Sequence, residues 1–250
     1  MSIGDIWCTR YQMNKTDLNL TIERGETLAE QAYARLQSAL ASGVFKPGES
    51  LSIRGLARLL GVSATPARDA IARALWERSL ENGPNRTVIV PELTVASVQE
   101  IYTVRMNLEG LAIELAAPNF YSPGLTELRR IFEDYSTAID AQDHAKVLET
   151  NEHFHFYIYQ QSNNELLVEM IKSLWLKMGP SLNFLFPAYL DKRGIRHKLA
   201  ILEALDKHDG IKARCALEAD LADGKAQIKQ AIAAGQAIPR FTQDQPAPAA

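Results

Sequence analysis

Apolar residues recur along this chain at helical spacing almost throughout, with one short stretch near residue 90 that changes to strand character. Leu28, Ala32, Leu36, Ala39 and Leu40 fall on one stripe of a first helix, which Ser42-Gly43 ends. Lys46-Pro47-Gly48 then marks a turn. The segment Leu51–Leu75, LSIRGLARLLGVSATPARDAIARAL, predicts two short helices around a tight turn. Leu56, Leu60, Val62, Ala67 and Ala70 supply the inward positions, and Gly61 sits where a positive φ costs little. Ser63 is placed to cap the second helix, and Pro66 falls in its first turn. That helix then turns Thr65, Arg68 and Arg73 outward, groups that reach phosphates and base edges. In Ser79–Val90 the turn signal Asn82-Gly83-Pro84-Asn85 separates two strand-like runs, the second β-branched. Three helices followed by a two-stranded ribbon predict a winged helix-turn-helix, with Arg86 at the ribbon tip.

After Leu93 the strand pattern disappears. Segments 94–117, 122–141, 144–161, 164–186, 191–208 and 211–234 each carry helical periodicity, divided by Pro, Gly, Asn or Asp. Pro180 and Pro187 are expected to kink or split the fourth of these. The fold class is therefore mainly α: an N-terminal winged helix-turn-helix over 25–90, then an antiparallel all-helical bundle of six to seven helices over 91–237. Residues 1–24 show no clear period and read as a loose arm. The Pro/Ala-rich segment 238–250 reads as a disordered tail.

Composition sharpens this picture in two places. The chain of 250 residues carries a net charge of only −3, but unevenly. Residues 1–90 hold 11 Lys and Arg against 9 Asp and Glu, a net of +2, which leaves −5 for the remainder. A mildly basic front and an acidic back suit a DNA-reading unit joined to a unit with another task. Cys8 and Cys215 have no paired spacing, as expected of reduced thiols in a cytoplasmic protein, and no apolar run approaches membrane-spanning length.

The bundle segments also aim polar groups inward, where a helical core should be apolar. Leu148, Asn151, His155 and Ile158 share one face, with Asn151 and His155 one turn apart. His197 lies in line with Ile201 and Ala204, Asp220 with Ala213 and Leu217, and Arg105 with Ile101, Leu108 and Ala112. The planar fork of Arg105 suits a ligand carboxylate. It also stands one turn from Glu109, a spacing that suits an ion pair serving the fold alone.

The order of GVFKPGESL, LARLLGVSATPARDAI and GPNRTVIV, followed by VRMNLEGLAIELAA and an all-helical acidic region, resembles the GntR family of transcription regulators. Within that family it resembles the FadR-type branch, whose C-terminal module is the ligand-sensing FCD domain. The resemblance spans residues 25–235. It implies a homodimer on a palindromic double-stranded operator, with Arg54, Ser63, Thr65, Arg68, Gly83, Asn85 and Arg86 at the DNA. Ala64 stands where the family carries an arginine, so the operator is expected to be an unusual one. The FCD resemblance also implies a divalent metal, Zn²⁺, Ni²⁺ or Mn²⁺, held by Asn151, His155, His197 and Asp220. Asn151 and Asp220 depart from the Asp and His of the family set. A small carboxylate effector would then bridge the metal and Arg105.

The expected function is thus a non-enzymatic, ligand-responsive DNA-binding regulator. Two alternatives remain open on the residues: the same regulator with a metal-free, acyl-CoA-type site, and a metal-dependent hydrolase carrying a winged helix. The second is disfavoured because the chain has neither a nucleophile elbow nor an HExxH motif.

Overall fold

The computed structural model describes residues 27–84, 87–185 and 192–236. The predicted arm, tail and Cys8, together with Pro187, Asn85 and Arg86, lie outside the described residues.

Helix α1 (Leu28–Ala41) opens on a capping box: Thr27 Oγ1 accepts from the Glu30 amide, and Glu30 Oε2 accepts from the Thr27 amide. After the turn come strand β1 (Ser50–Leu51), helix α2 (Ile53–Leu60) and helix α3 (Ala64–Trp76). Ser52 caps α2 by accepting from the Gly55 amide at 3.0 Å. Gly61 ends that helix in the left-handed region at φ 66°, which sets the tight turn into α3. Leu36 and Leu40 of α1, Leu56 of α2 and Ala67, Ala70, Ile71 and Ala74 of α3 are all buried. Each such leucine contributes about 1.5–3 kcal/mol by leaving water. The small alanines of α3 let it lie close against α1.

Strands β2 (Glu81–Asn82) and β3 (Val88–Ile89) complete the wing. The expected ribbon of two strands is a sheet of three, in the order β1-β3-β2, both pairings antiparallel. Ser50 faces Ile89 and Leu51 faces Val88 on one side, while Glu81 and Asn82 face the same two residues on the other. At two residues β1 is too short for any periodicity to show, and it exists because β3 offers it an edge.

The bundle follows the predicted segments closely. Helices α4 (Val95–Ala116), α5 (Ser122–Asp140), α6 (His144–Gln160), α7 (Glu165–Met178), α8 (Arg193–Asp206) and α9 (Gly210–Ala233) are separated by short turns. Thr94, Asp143, Asn164 and Asp209 each accept a backbone N–H three residues on, capping α4, α6, α7 and α9. Helix α7 stops before Pro180, and the chain continues as a 3₁₀ segment over Gly179–Leu185. Helix α4 is the spine, packed on α9, α7 and α6, with α8 lodged between α9 and α5.

The two halves share a seam. The C-terminal end of α1 lies against α7 and the 3₁₀ segment. A Cβ at Gly179 would stand 2.0 Å from the Leu40 carbonyl oxygen, so only glycine permits this approach. Beside it Asn183 donates to the carbonyl oxygens of Gly43 at 2.8 Å and Pro180 at 2.9 Å.

Candidate functional site

The basic face lies on α2, α3 and the wing. Arg54 and Arg68 are exposed and line one groove beside the wing with Ser52, Ala72 and Thr87, although they are distant in sequence. Thr65 is exposed on the first turn of α3. Ser63 holds the N-cap position in extended backbone, but its hydroxyl makes no capping hydrogen bond, contrary to the expected role. Neither α2 nor α3 carries an acid in its first turn, so the positive helix ends are not neutralised locally. Gly83 shapes the turn: its amide donates to the Thr87 carbonyl at 2.9 Å, and a Cβ would stand 2.7 Å from Thr87 Oγ1. Arg73 is used otherwise. Its Nε donates to Glu77 at 3.1 Å and its guanidinium covers the Tyr33 ring at 4.1 Å, clamping α3 to α1.

The second site is a chain of buried polar groups through the middle of the bundle. Arg105 on α4 gives both arms of its fork to Glu109, at 2.5 and 3.3 Å, and its guanidinium lies between the Tyr102 and Trp175 rings. Tyr159 on α6 donates to Glu109 at 2.5 Å. Its single hydroxyl proton being spent there, it accepts from His155 Nδ1 at 3.1 Å. His155 Nε2 meets Asp220 on α9 at 3.2 Å. Lys198 on α8 closes the chain, donating from Nζ to Asn151 Oδ1 at 2.8 Å and standing 3.7 Å from Asp220 Oδ2. Burial would raise the Asp220 carboxyl, but Lys198 and His155 outweigh it and hold it well below the usual carboxylate range. Burial lowers His155, and the Lys198 charge lowers it further.

Of these groups Arg105, Asn151, His155, Lys198 and Asp220 wall a cavity of about 70 Å³ between α4, α6, α8 and α9, which Arg193, His197, Leu182 and Leu185 also line. Water needs roughly 10–15 Å³ measured this way, so the space suits several waters or a molecule of a few heavy atoms.

Two expectations are corrected here. Arg105, expected to face a ligand, gives its Nε and one terminal nitrogen to Glu109, so the ion pair that the spacing also allowed is formed, and the guanidinium stands in the cavity wall as half of that pair. The four expected metal ligands all line this cavity, but they do not close on one point. Asn151, His155 and Asp220 do gather, and His155 is oriented through Tyr159 much as a metal-binding imidazole would be. His197, however, turns its Nε2 to Asp223 at 2.8 Å. Among the described residues no three His, Cys, Asp or Glu side chains group as metal donors. The ammonium of Lys198 stands in their midst, and a divalent ion about 4 Å from it would face roughly 8 kcal/mol of repulsion at an effective dielectric of 20. The residues present do not fit the metal.

Lys198 and Asp223 were missed from sequence, although a signal existed for the lysine. Lys198, Ile201, Leu202 and Leu205 recur at inward spacing on α8, and all four are buried. A lysine on such a stripe requires a partner.

A winged helix-turn-helix with exposed arginines, joined to a helical bundle with a polar cavity, defines a DNA-binding regulator with a companion domain. Residues 28–90 match the bacterial regulatory proteins of the gntR family, and residues 100–223 match the FCD domain. The chain is 34% identical over 187 residues to the HTH-type transcriptional regulator McbR of Escherichia coli (strain K12), covering 72% of this chain and 85% of that protein. It is 30% identical to the uncharacterized HTH-type transcriptional regulator YdhC of Bacillus subtilis (strain 168), over 57% of this chain and 64% of that one. The solved structure of E. coli McbR/YncC superposes with a TM-score of 0.76 at 33% identity, covering 82% of this chain and 98% of that one. A putative GntR regulator from Rhodococcus sp. RHA1 shares the fold, with a TM-score of 0.64 at 23% identity over 81% and 98% of the chains. The chain belongs to the GntR family, in its FCD-containing branch, and is a transcriptional regulator rather than an enzyme.

Proposed function

We propose that this protein is a homodimeric, operator-binding regulator whose bundle cavity senses a small carboxylate. The carrying observation is the cavity itself. It is a partly open space of about 70 Å³, lined by the cations of Lys198 and Arg193 with His155 and His197 beside them, and by the carboxylates of Asp220 and Asp223. Cations in a partly desolvated wall favour an anion of matching size. The divalent metal is left out of this reading because Lys198 stands in its place. An acyl-CoA ligand is disfavoured, since a space for a few heavy atoms cannot admit a pantetheine arm.

On the DNA side, Arg54, Thr65 and Arg68 are proposed to contact the operator, with Ser63, Gly83, Asn85 and Arg86 in supporting positions. The apolar surface supports a dimer. Val104, Leu111 and Leu115 form an exposed stripe on α4, and neighbouring α7 and α9 expose Leu166, Met170 and Ile211. A second copy of this chain, related by a twofold axis, would cover that face and match a palindrome.

Selection of bound fragments from randomised duplex DNA, at physiological salt, tests the reading. A recurrent twofold-symmetric site is expected, with affinity that changes tenfold or more when a small carboxylate raises the protein's melting temperature. Enrichment of no sequence would overturn it.

A further inference from the structure

We propose that the Lys198 ammonium is the resident cation of the bundle cavity, so that the protein holds a small monocarboxylate without any divalent metal. The inference rests on the sensing role proposed above. Lys198 is 1% exposed, yet its Nζ is bound on several sides: Asn151 Oδ1 at 2.8 Å, Asp220 Oδ2 at 3.7 Å, and the ring faces of Tyr135 and Phe154 at 4.5 and 5.3 Å. This is a built position rather than a lysine stem passing through. Asn151 and Asp220 face the ammonium, with His155 bound to Asp220 beside it, and the lysine excludes a metal ion from this corner by both volume and charge.

The same geometry describes the ligand. An ammonium has three N–H donors, and Asn151 receives one at hydrogen-bonding distance. Asp220 is an ion-pair partner beyond that distance, and ring faces take the charge without taking a strong hydrogen bond. Donor capacity therefore remains toward the cavity, where Arg193 stands on the same wall. Asp220 and Asp223 line that wall too, so a ligand with a second carboxylate would meet repulsion. A metal ion with open positions would have the opposite preference, because chelating polycarboxylates fill them best. Lys198 selects a short monocarboxylate, and the small volume agrees.

The test uses the full-length protein stripped of metals on a chelating resin. Glycolate and acetate are each added alone, with citrate for comparison, and Ni²⁺ is titrated separately by calorimetry. Glycolate or acetate is expected to raise the melting temperature by several degrees without metal, citrate to leave it unchanged, and Ni²⁺ to find no stoichiometric site. Lys198→Met should weaken the monocarboxylate at least tenfold. Lys198→Ala should open the Asn151, His155 and Asp220 corner and gain one Ni²⁺ per chain, a gain that His155→Ala removes. Should the lysine variants not fold, the wild-type arms decide alone. One Ni²⁺ per wild-type chain that His155→Ala abolishes, or a monocarboxylate response that appears only with Ni²⁺, would overturn the inference while leaving the sensing role standing. No response to any of the three carboxylates, with or without Ni²⁺, would overturn both.

Discussion

Asn183 donates its amide to the Gly43 carbonyl oxygen across 2.8 Å, a bond that ties the cavity side of the bundle to the turn at the end of the first helix. Leu182 and Leu185, on either side of Asn183 in the 3₁₀ segment, line the cavity. A ligand that moves this segment therefore pulls on the base of the helix against which α3 packs. The Asn183 carbonyl oxygen accepts from His144 Nε2 at 3.1 Å, so the side chain is held at both ends.

Asn183→Ala is expected to cost about 1–3 kcal/mol of stability, because the buried Gly43 carbonyl loses its partner. Its stronger effect should be on communication: operator affinity stays near wild type, while its response to the carboxylate disappears. Chemical denaturation reads the first and fluorescence anisotropy with labelled operator the second. An undiminished ligand response would assign the coupling elsewhere. Gly179→Ala should be more damaging to stability, since its Cβ would meet the backbone of Leu40 and Ala41 rather than a side chain that can yield.

On the DNA side, Arg68→Ala should weaken operator binding by roughly 1–3 kcal/mol and relax preference at one base position if the fork reads a base edge. Arg54→Ala, at the other wall of the same groove, serves as the comparison. Uniform loss on all sequences with a shallower salt dependence would make either residue a phosphate contact. Arg73→Ala should act through stability, because its partners are Glu77 and Tyr33.

Breaking the buried pair on α4 should be costly for the fold. Arg105→Ala leaves Glu109 charged, fully buried and held by Tyr159 alone, and is expected to destabilise by roughly 3–5 kcal/mol. Arg105→Met combined with Glu109→Gln removes both charges and should cost less than Arg105→Ala. Urea unfolding of the three proteins checks the order. A stable Arg105→Ala protein that had only lost carboxylate affinity would restore Arg105 as the ligand contact.

Acid should loosen the seam. Burial holds His144 below its ordinary range, with the Lys46 charge acting in the same direction against the opposing Asn183 bond and Asp143 charge. As pH falls, the unfolded chain takes up this proton first, so the stability is complete above about pH 6.5 and declines below it. The urea midpoint is expected to drop between about pH 7.5 and about pH 5.5, the range that brackets the ordinary histidine value. His144→Gln should reduce that drop, and an identical drop would move the effect to other groups such as His155.

A dimer held by the α4 face is expected to dissociate when Leu111 becomes charged. Leu111→Glu should sediment as a monomer at micromolar concentration and bind operator more weakly, because one winged helix covers a single half-site. An unchanged dimer would place the interface on another face.

Much of this protein was legible in the order of its residues. The 3.6-residue period, punctuated by Thr94, Asp143, Asn164 and Asp209, sufficed for the bundle helices, since each cap satisfies its own helix end with no help from elsewhere. Gly61 and the alanines of α3 carried the tight turn of the helix-turn-helix in the same local way. Periodicity also marked the faces on which Asn151, His155 and Asp220 would meet. It could not decide what they would meet. Neighbouring residues on a helix are about 100° apart, so only one of His197 and Lys198 can point straight into the core, and the rotation of α8 about its axis decides which. Packing settled that rotation: Ile201, Leu202 and Leu205 are buried, Lys198 goes in with them, and His197 is left to Asp223. The strand β1, the Asn183 bond to Gly43 and the Arg105–Glu109–Tyr159 chain join residues 39, 140 and 50 positions apart at their widest links, and such pairings are chosen by tertiary packing and not by local pattern.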